Sequence, residues 1–85
     1  MGIRNATTLT MIKSRFVGRE AAVERAFAAS ESFRGLCRDY LACVGALARW
    51  QGSPSEDARR RSAEYAELVA ELTREMEAQL RAEGW

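Results

Sequence analysis

Gly52-Ser53-Pro54-Ser55-Glu56 separates two segments of helical apolar period. Glycine tolerates the left-handed backbone that closes many helices, so Gly52 reads as the end of one helix. Ser53 fits an N-cap, Pro54 the first helical position, and Glu56 the returning half of a capping box. Apolar residues recur at helical spacing on both sides. The stretch therefore predicts an antiparallel hairpin of helices over about 32–51 and 54–82.

The upstream partner is rich in apolar positions. Phe33, Leu36, Tyr40, Cys43, Leu47 and Trp50 alternate three and four apart, as a packed seam requires. Cys37, Leu41, Val44 and Ala48 widen the seam to about half the circumference. Gly35, Ala42, Gly45 and Ala46 line the opposite side, where small residues allow a close neighbour, so this helix is expected to sit centrally. The downstream helix carries a narrower stripe of Ala58, Tyr65, Leu68, Val69, Leu72, Met76 and Leu80. Asp57 with Arg61 and Glu77 with Arg81 are favourably oriented pairs along it.

Upstream of the hairpin the pattern weakens. Leu9, Ile12, Phe16, Val23 and Phe27 outline a helix over about 10–29, interrupted at Gly18. Residues 1–8 lack an apolar period and read as a flexible leader, leaving 9–85 as one all-helical domain. Ser30-Glu31-Ser32 offers two N-caps and predicts a bend, although no Gly or Pro forbids one continuous rod. The expected fold class is all-α, since Ala, Arg and Glu dominate and β-branched residues are scarce.

Size points to a partner. At 85 residues the core is small. A helix over 54–82 spans about 43 Å against about 30 Å for 32–51. Its end, with Met76 and Leu80, is then expected to pack on the first helix or on another subunit. Tyr65, Leu68, Leu72, Met76 and Leu80 are the candidate self-association residues, and a homodimeric helical bundle is the expected assembly. Phe16 and Trp85 are candidate contacts for another protein.

Composition narrows the function classes. The chain has no histidine, which removes the commonest general base and metal ligand. Glu64, Glu67, Glu71 and Glu75 fall off the apolar stripe and read as a solvated face, so no metal or cofactor is expected. Cys37 and Cys43 point about 240° apart on one helix and cannot pair within it. No run of about 18 apolar residues and no secretory signal is present, which makes a cytoplasmic location the expectation.

Charge is divided along the chain. Residues 1–52 carry eight basic groups against four acids, and residues 53–85 five arginines against eight acids. Complementarity between helices or subunits accounts for this more simply than a basic binding face. Nucleic-acid binding through Arg59-Arg60-Arg61 and helix-1 residues Lys13, Arg15, Arg19 and Arg25 is the alternative, opposed by the nearby acids. A third reading groups Arg19, Arg61 and Gln79 as contacts for a small anion. Inward arginines in a helical dimer resemble the all-helical chorismate mutases in size and composition, and the resemblance implies a dicarboxylate site. The ordered ionic pattern of that family has no counterpart here. The leading expectation is a non-enzymatic protein acting through self-association and protein–protein contact, similar to short bacterial helical-hairpin proteins.

Overall fold

The computed structural model describes residues 3–83, which form four helices and no strand. These are α1 (Ile3–Arg15), α2 (Glu20–Ala29), α3 (Glu31–Gln51) and α4 (Ala58–Ala82). The all-α hairpin expected from the sequence is present as α3 and α4. Contacts between Ser32 and Gln79 at one end and Trp50 and Arg61 at the other show the two running antiparallel.

Four local outcomes differ from the sequence reading. Residues 3–8, expected in a flexible leader, belong to α1. Packing explains this: Ile12 and Phe16 are buried and Leu9 lies against them, which outweighs the low helix propensity of Asn5, Thr7 and Thr8.

The first helix, expected over 10–29, is two helices. Gly18 takes φ +90°, a backbone that L side chains avoid, and the chain turns there. The Gly18 N–H donates to Glu20 Oε1 at 2.9 Å, and the Arg19 N–H donates to the Phe16 carbonyl at 2.9 Å. An ion pair between Lys13 and Glu24 ties α1 to α2 across the turn.

The bend at Ser30 is real, and a continuous rod is excluded. Ser30 is extended (φ −128°, ψ 114°), and its Oγ accepts the Phe33 N–H at 3.0 Å. That is an N-cap in the ordinary sense, satisfying one orphan donor of α3. Arg34 closes the preceding end by donating Nη1 to the Phe27 carbonyl at 2.6 Å.

The hairpin turn is built differently from the expected capping box. Gly52 is right-handed (φ −90°, ψ 0°), and α4 starts at Ala58, so Pro54 and Glu56 lie outside it. The serines explain the delay. Ser53 Oγ accepts the Ser55 N–H at 3.1 Å, and Ser55 Oγ accepts the Asp57 N–H at 3.2 Å. The Asp57 N–H is the donor that a helix beginning at Pro54 would have given to the Ser53 carbonyl, and Ser55 Oγ takes it instead.

The later start shortens α4 to about 38 Å against about 32 Å for α3, so the expected overhang nearly disappears. Met76 and Leu80 are fully buried within the chain and need no second subunit to cover them. They join Ile12 and Phe16, Val23 and Phe27 of α2, and Phe33, Cys37 and Tyr40 of α3 in one core. Arg15 closes this core on the α1 side, its guanidinium 5.8 Å from the Tyr40 ring centre.

The core occupies one end of the molecule, where α1 packs on α2 and α3, and α2 packs on α3 and α4. Beyond it α3 and α4 continue as a two-helix arm. The radius of gyration is 14.0 Å, with extents of 43 × 26 × 21 Å. A compact chain of this length has a radius of about 12 Å, and the arm accounts for the excess.

Candidate functional site

The arm is where the chain fails to cover itself. Between Leu41 and Glu75 no residue larger than alanine is buried; Ala46 and Ala58 alone are. The arm has no shortage of apolar side chains. Leu41 and Val44 of α3 and Val69 and Leu72 of α4 are half-buried against the edge of the core, Cys43, Leu47, Trp50 and Tyr65 are half-buried, and Leu68 is 42% exposed. Two helices can each hide one stripe from water but have no third layer to cover the flanks.

One flank of the arm has a definite composition. Trp50 lies at the end of α3, and the Arg61 guanidinium sits over its ring at 6.0 Å from the centre. Tyr65, Leu68 and Leu72 follow Arg61 along α4 at spacings of four, three and four, so they share its side of the helix. Glu75 comes next, seven residues after Leu68. Arg61 Nη1 lies 3.7 Å from a Glu64 oxygen, and both side chains are about half exposed, so this pair is screened by water. Glu75 is exposed and makes no ion pair among the described residues.

The candidate self-association residues therefore divide. Leu68 is open, and Tyr65 and Leu72 are half open on the same flank. Met76 and Leu80 are core residues with no exposed surface, and their assignment to an intersubunit seam is corrected. A stripe at helical spacing records burial without recording which chain does the burying. Phe16 is likewise corrected from partner contact to core, at 6% exposure. Trp85, the other candidate contact, lies outside the described residues.

The three candidate anion contacts do not converge. Arg61 and Gln79 are 18 residues apart on one helix, or about 27 Å. Gln79 donates to Ser32 Oγ at 3.3 Å, a link between α3 and α4. Arg19 is elsewhere, at the start of α2. There it lines a hollow of about 430 Å³ with Gly18, Glu20, Ala21, Ala22 and Arg25. No side chain caps the first turn of α2, but the Glu20 carboxylate stands in the hollow and opposes a second negative charge. Arg25 is turned toward the end of α4, its Nη2 3.4 Å from the Glu83 carbonyl.

Arg60 of the basic run is held by Asp57 at 3.2 Å and Glu64 at 3.8 Å, and Arg61 by Glu64 and Trp50. Glu64, Glu67, Glu71 and Glu75 are all exposed. Cys37 and Cys43 are free thiols. Burial pushes the Cys37 thiol up to about 12, against a partial pull downward from Arg38. It is a neutral core group, not a nucleophile.

Two exposed residues were not singled out from the sequence. Val17, in the turn between α1 and α2, is 80% exposed, and Met11 on the outer face of α1 is 44% exposed. Near Met11, Thr10 Oγ1 donates to the Ala6 carbonyl and Ser14 Oγ to the Met11 carbonyl. Those hydroxyls are spent on their own helix, which leaves the face less polar than its residue types suggest. Among the described residues no helix is long and apolar enough to cross a membrane. No protein-family model, curated protein or solved structure matches this chain.

Proposed function

We propose that this chain is a non-enzymatic protein–protein interaction module that docks through the flank of its α3–α4 arm. The observation that carries the reading is the absence of any buried residue larger than alanine from Leu41 to Glu75, in a segment rich in apolar side chains. Exposed apolar surface bordered by charge is the usual mark of a binding face. Arg, Trp and Tyr, which supply much of the energy at interfaces, stand together here as Arg61, Trp50 and Tyr65. The lack of histidine and the dispersal of Arg19, Arg61 and Gln79 favour binding over catalysis. Two free thiols fit a reducing compartment, and we place the activity in the cytoplasm.

Site-specific photo-crosslinking in the native cells tests this. A photoreactive residue at position 68 is expected to give protein adducts. The same residue at Ala70, exposed on the same helix about 200° round from Leu68, is expected to give none. Adducts at neither position, or equally at both, would overturn the reading.

A further inference from the structure

The flank that carries the proposed interaction also carries a charge pattern that selects its occupant. Arg61, Leu68 and Glu75 are seven residues apart in turn, which places them within about 20° of one another per heptad on the surface of α4. A positive and a negative charge thus stand at equal distances, about 10.5 Å along the axis, on either side of an exposed leucine. Both charges remain open to a partner: Arg61 lies over the Trp50 ring and has a screened contact with Glu64, yet its side chain is 45% exposed, and Glu75 has no ion pair among the described residues.

We propose that the occupant is a second copy of this chain, laid antiparallel with Leu68 on the two-fold axis. Arg61 of each copy then meets Glu75 of the other. An isologous interface needs a surface complementary to itself, residue i meeting j and j meeting i. The order plus, apolar, minus satisfies that condition when α4 is reversed against α4. A parallel arrangement fails it, because Arg61 would face Arg61 and Glu75 would face Glu75. In the antiparallel arrangement the two Leu68 side chains cover each other, and Tyr65 and Leu72 flank them. Two arms of two helices make a four-helix bundle, the third layer that the arm lacks. This inference rests on the arm being the docking surface and adds the identity and orientation of what docks.

The test is a charge exchange followed by sedimentation equilibrium on the full chain. The wild type is expected to dimerise reversibly, and more weakly as salt is raised. Arg61→Glu alone and Glu75→Arg alone each put like charges together twice, and each is expected to weaken self-association by about tenfold or more. An equimolar mixture of the two variants pairs an acidic flank with a basic one and is expected to recover the wild-type affinity. So is the double variant carrying both substitutions on one chain. Glu75 makes no ion pair among the described residues, so Glu75→Arg remains informative even if Arg61→Glu disturbs the Trp50 contact.

A wild type that stays monomeric at high micromolar concentration overturns the inference. So does a dimer indifferent to both charge reversals, or a mixture that fails to recover affinity. A monomer that still crosslinks through position 68 to a different protein would sink the second copy while leaving the docking surface standing.

Discussion

The two ends of this molecule are made from the same two long helices, yet only one end is buried. At the packed end α1 and α2 lay Ile12, Phe16, Val23 and Phe27 over Phe33, Cys37, Met76 and Leu80, and water is excluded. In the arm Leu47, Trp50, Tyr65 and Leu68 belong to the same amphipathic pattern but keep part of their surface in water. The difference lies in the number of layers, not in the composition of the stripes. A helix in a small protein is as buried as its neighbours allow, and here the neighbours run out halfway along α3.

A matched pair of leucines puts that contrast to the test with the largest expected effect. Leu80 has no exposed surface and Leu68 is 42% exposed, although both lie on α4. Leu80→Ala is expected to cost about 2–5 kcal/mol in urea denaturation, the range for a leucine removed from a packed core. Leu68→Ala, measured under dilute conditions that keep the chain monomeric, is expected to cost less than about 1 kcal/mol. Equal losses at the two sites would mean that the arm is as well covered as the packed end.

A second matched pair concerns the glycines that bound the elements. Gly18 has φ +90°, and Gly18→Ala is expected to destabilise by about 1–2 kcal/mol through backbone strain, with empty space around the added methyl giving nothing back. Gly52 is right-handed, and a Cβ there would meet only the Ala48 and Arg49 carbonyl oxygens at ordinary contact distances of 3.7 and 3.9 Å. Gly52→Ala is expected to be neutral or stabilising by up to about 1 kcal/mol, because the unfolded chain loses more freedom. Thermal unfolding of the two variants side by side checks both signs.

The cap at the head of α3 gives a smaller effect. Ser30→Ala removes the acceptor of the Phe33 N–H and is expected to cost about 1 kcal/mol in the same measurement. Loss below a few tenths would mean that the bend is held by Arg34 on the Phe27 carbonyl rather than by the serine.

The contrast between the ends also shows which features can be read from sequence and which cannot. The hairpin and the bend at Ser30 follow from periodicity and cap chemistry, which are local. The start of α4 is local too, but Ser55 competes with the helix for the Asp57 N–H, and residue type alone does not show which arrangement wins. The helix at residues 3–8 and the burial of Phe16, Met76 and Leu80 depend on the third dimension. Leu68 and Leu80 both lie on the apolar stripe of α4 and look alike in the sequence. What separates them is the end of α4 they occupy: α2 reaches the Leu80 end, where Arg25 donates to the Glu83 carbonyl. The heptad spacing of Arg61, Leu68 and Glu75 is in the sequence, but nothing there sets it apart from the other charges of α4. It gained meaning only once the α3–α4 arm proved uncovered.

The smallest expected effect near neutral pH is the titration of Cys37, and its sign follows from burial. Folding raises the thiol from 9.0 to about 12, because the packed end withholds water from the thiolate. Below pH 9 the thiol is neutral in both folded and unfolded chains, and its contribution to stability is fully present. As pH rises from 9 toward 12 the unfolded chain ionises first, and that contribution is lost. The wild type should therefore lose stability more steeply than Cys37→Ala over this window. Subtracting the two pH profiles of the urea midpoint removes the background from tyrosine and lysine. Parallel profiles would mean that water reaches the thiol. The boundary between the packed end and the arm would then lie earlier along α3 than the burial of Cys37 places it.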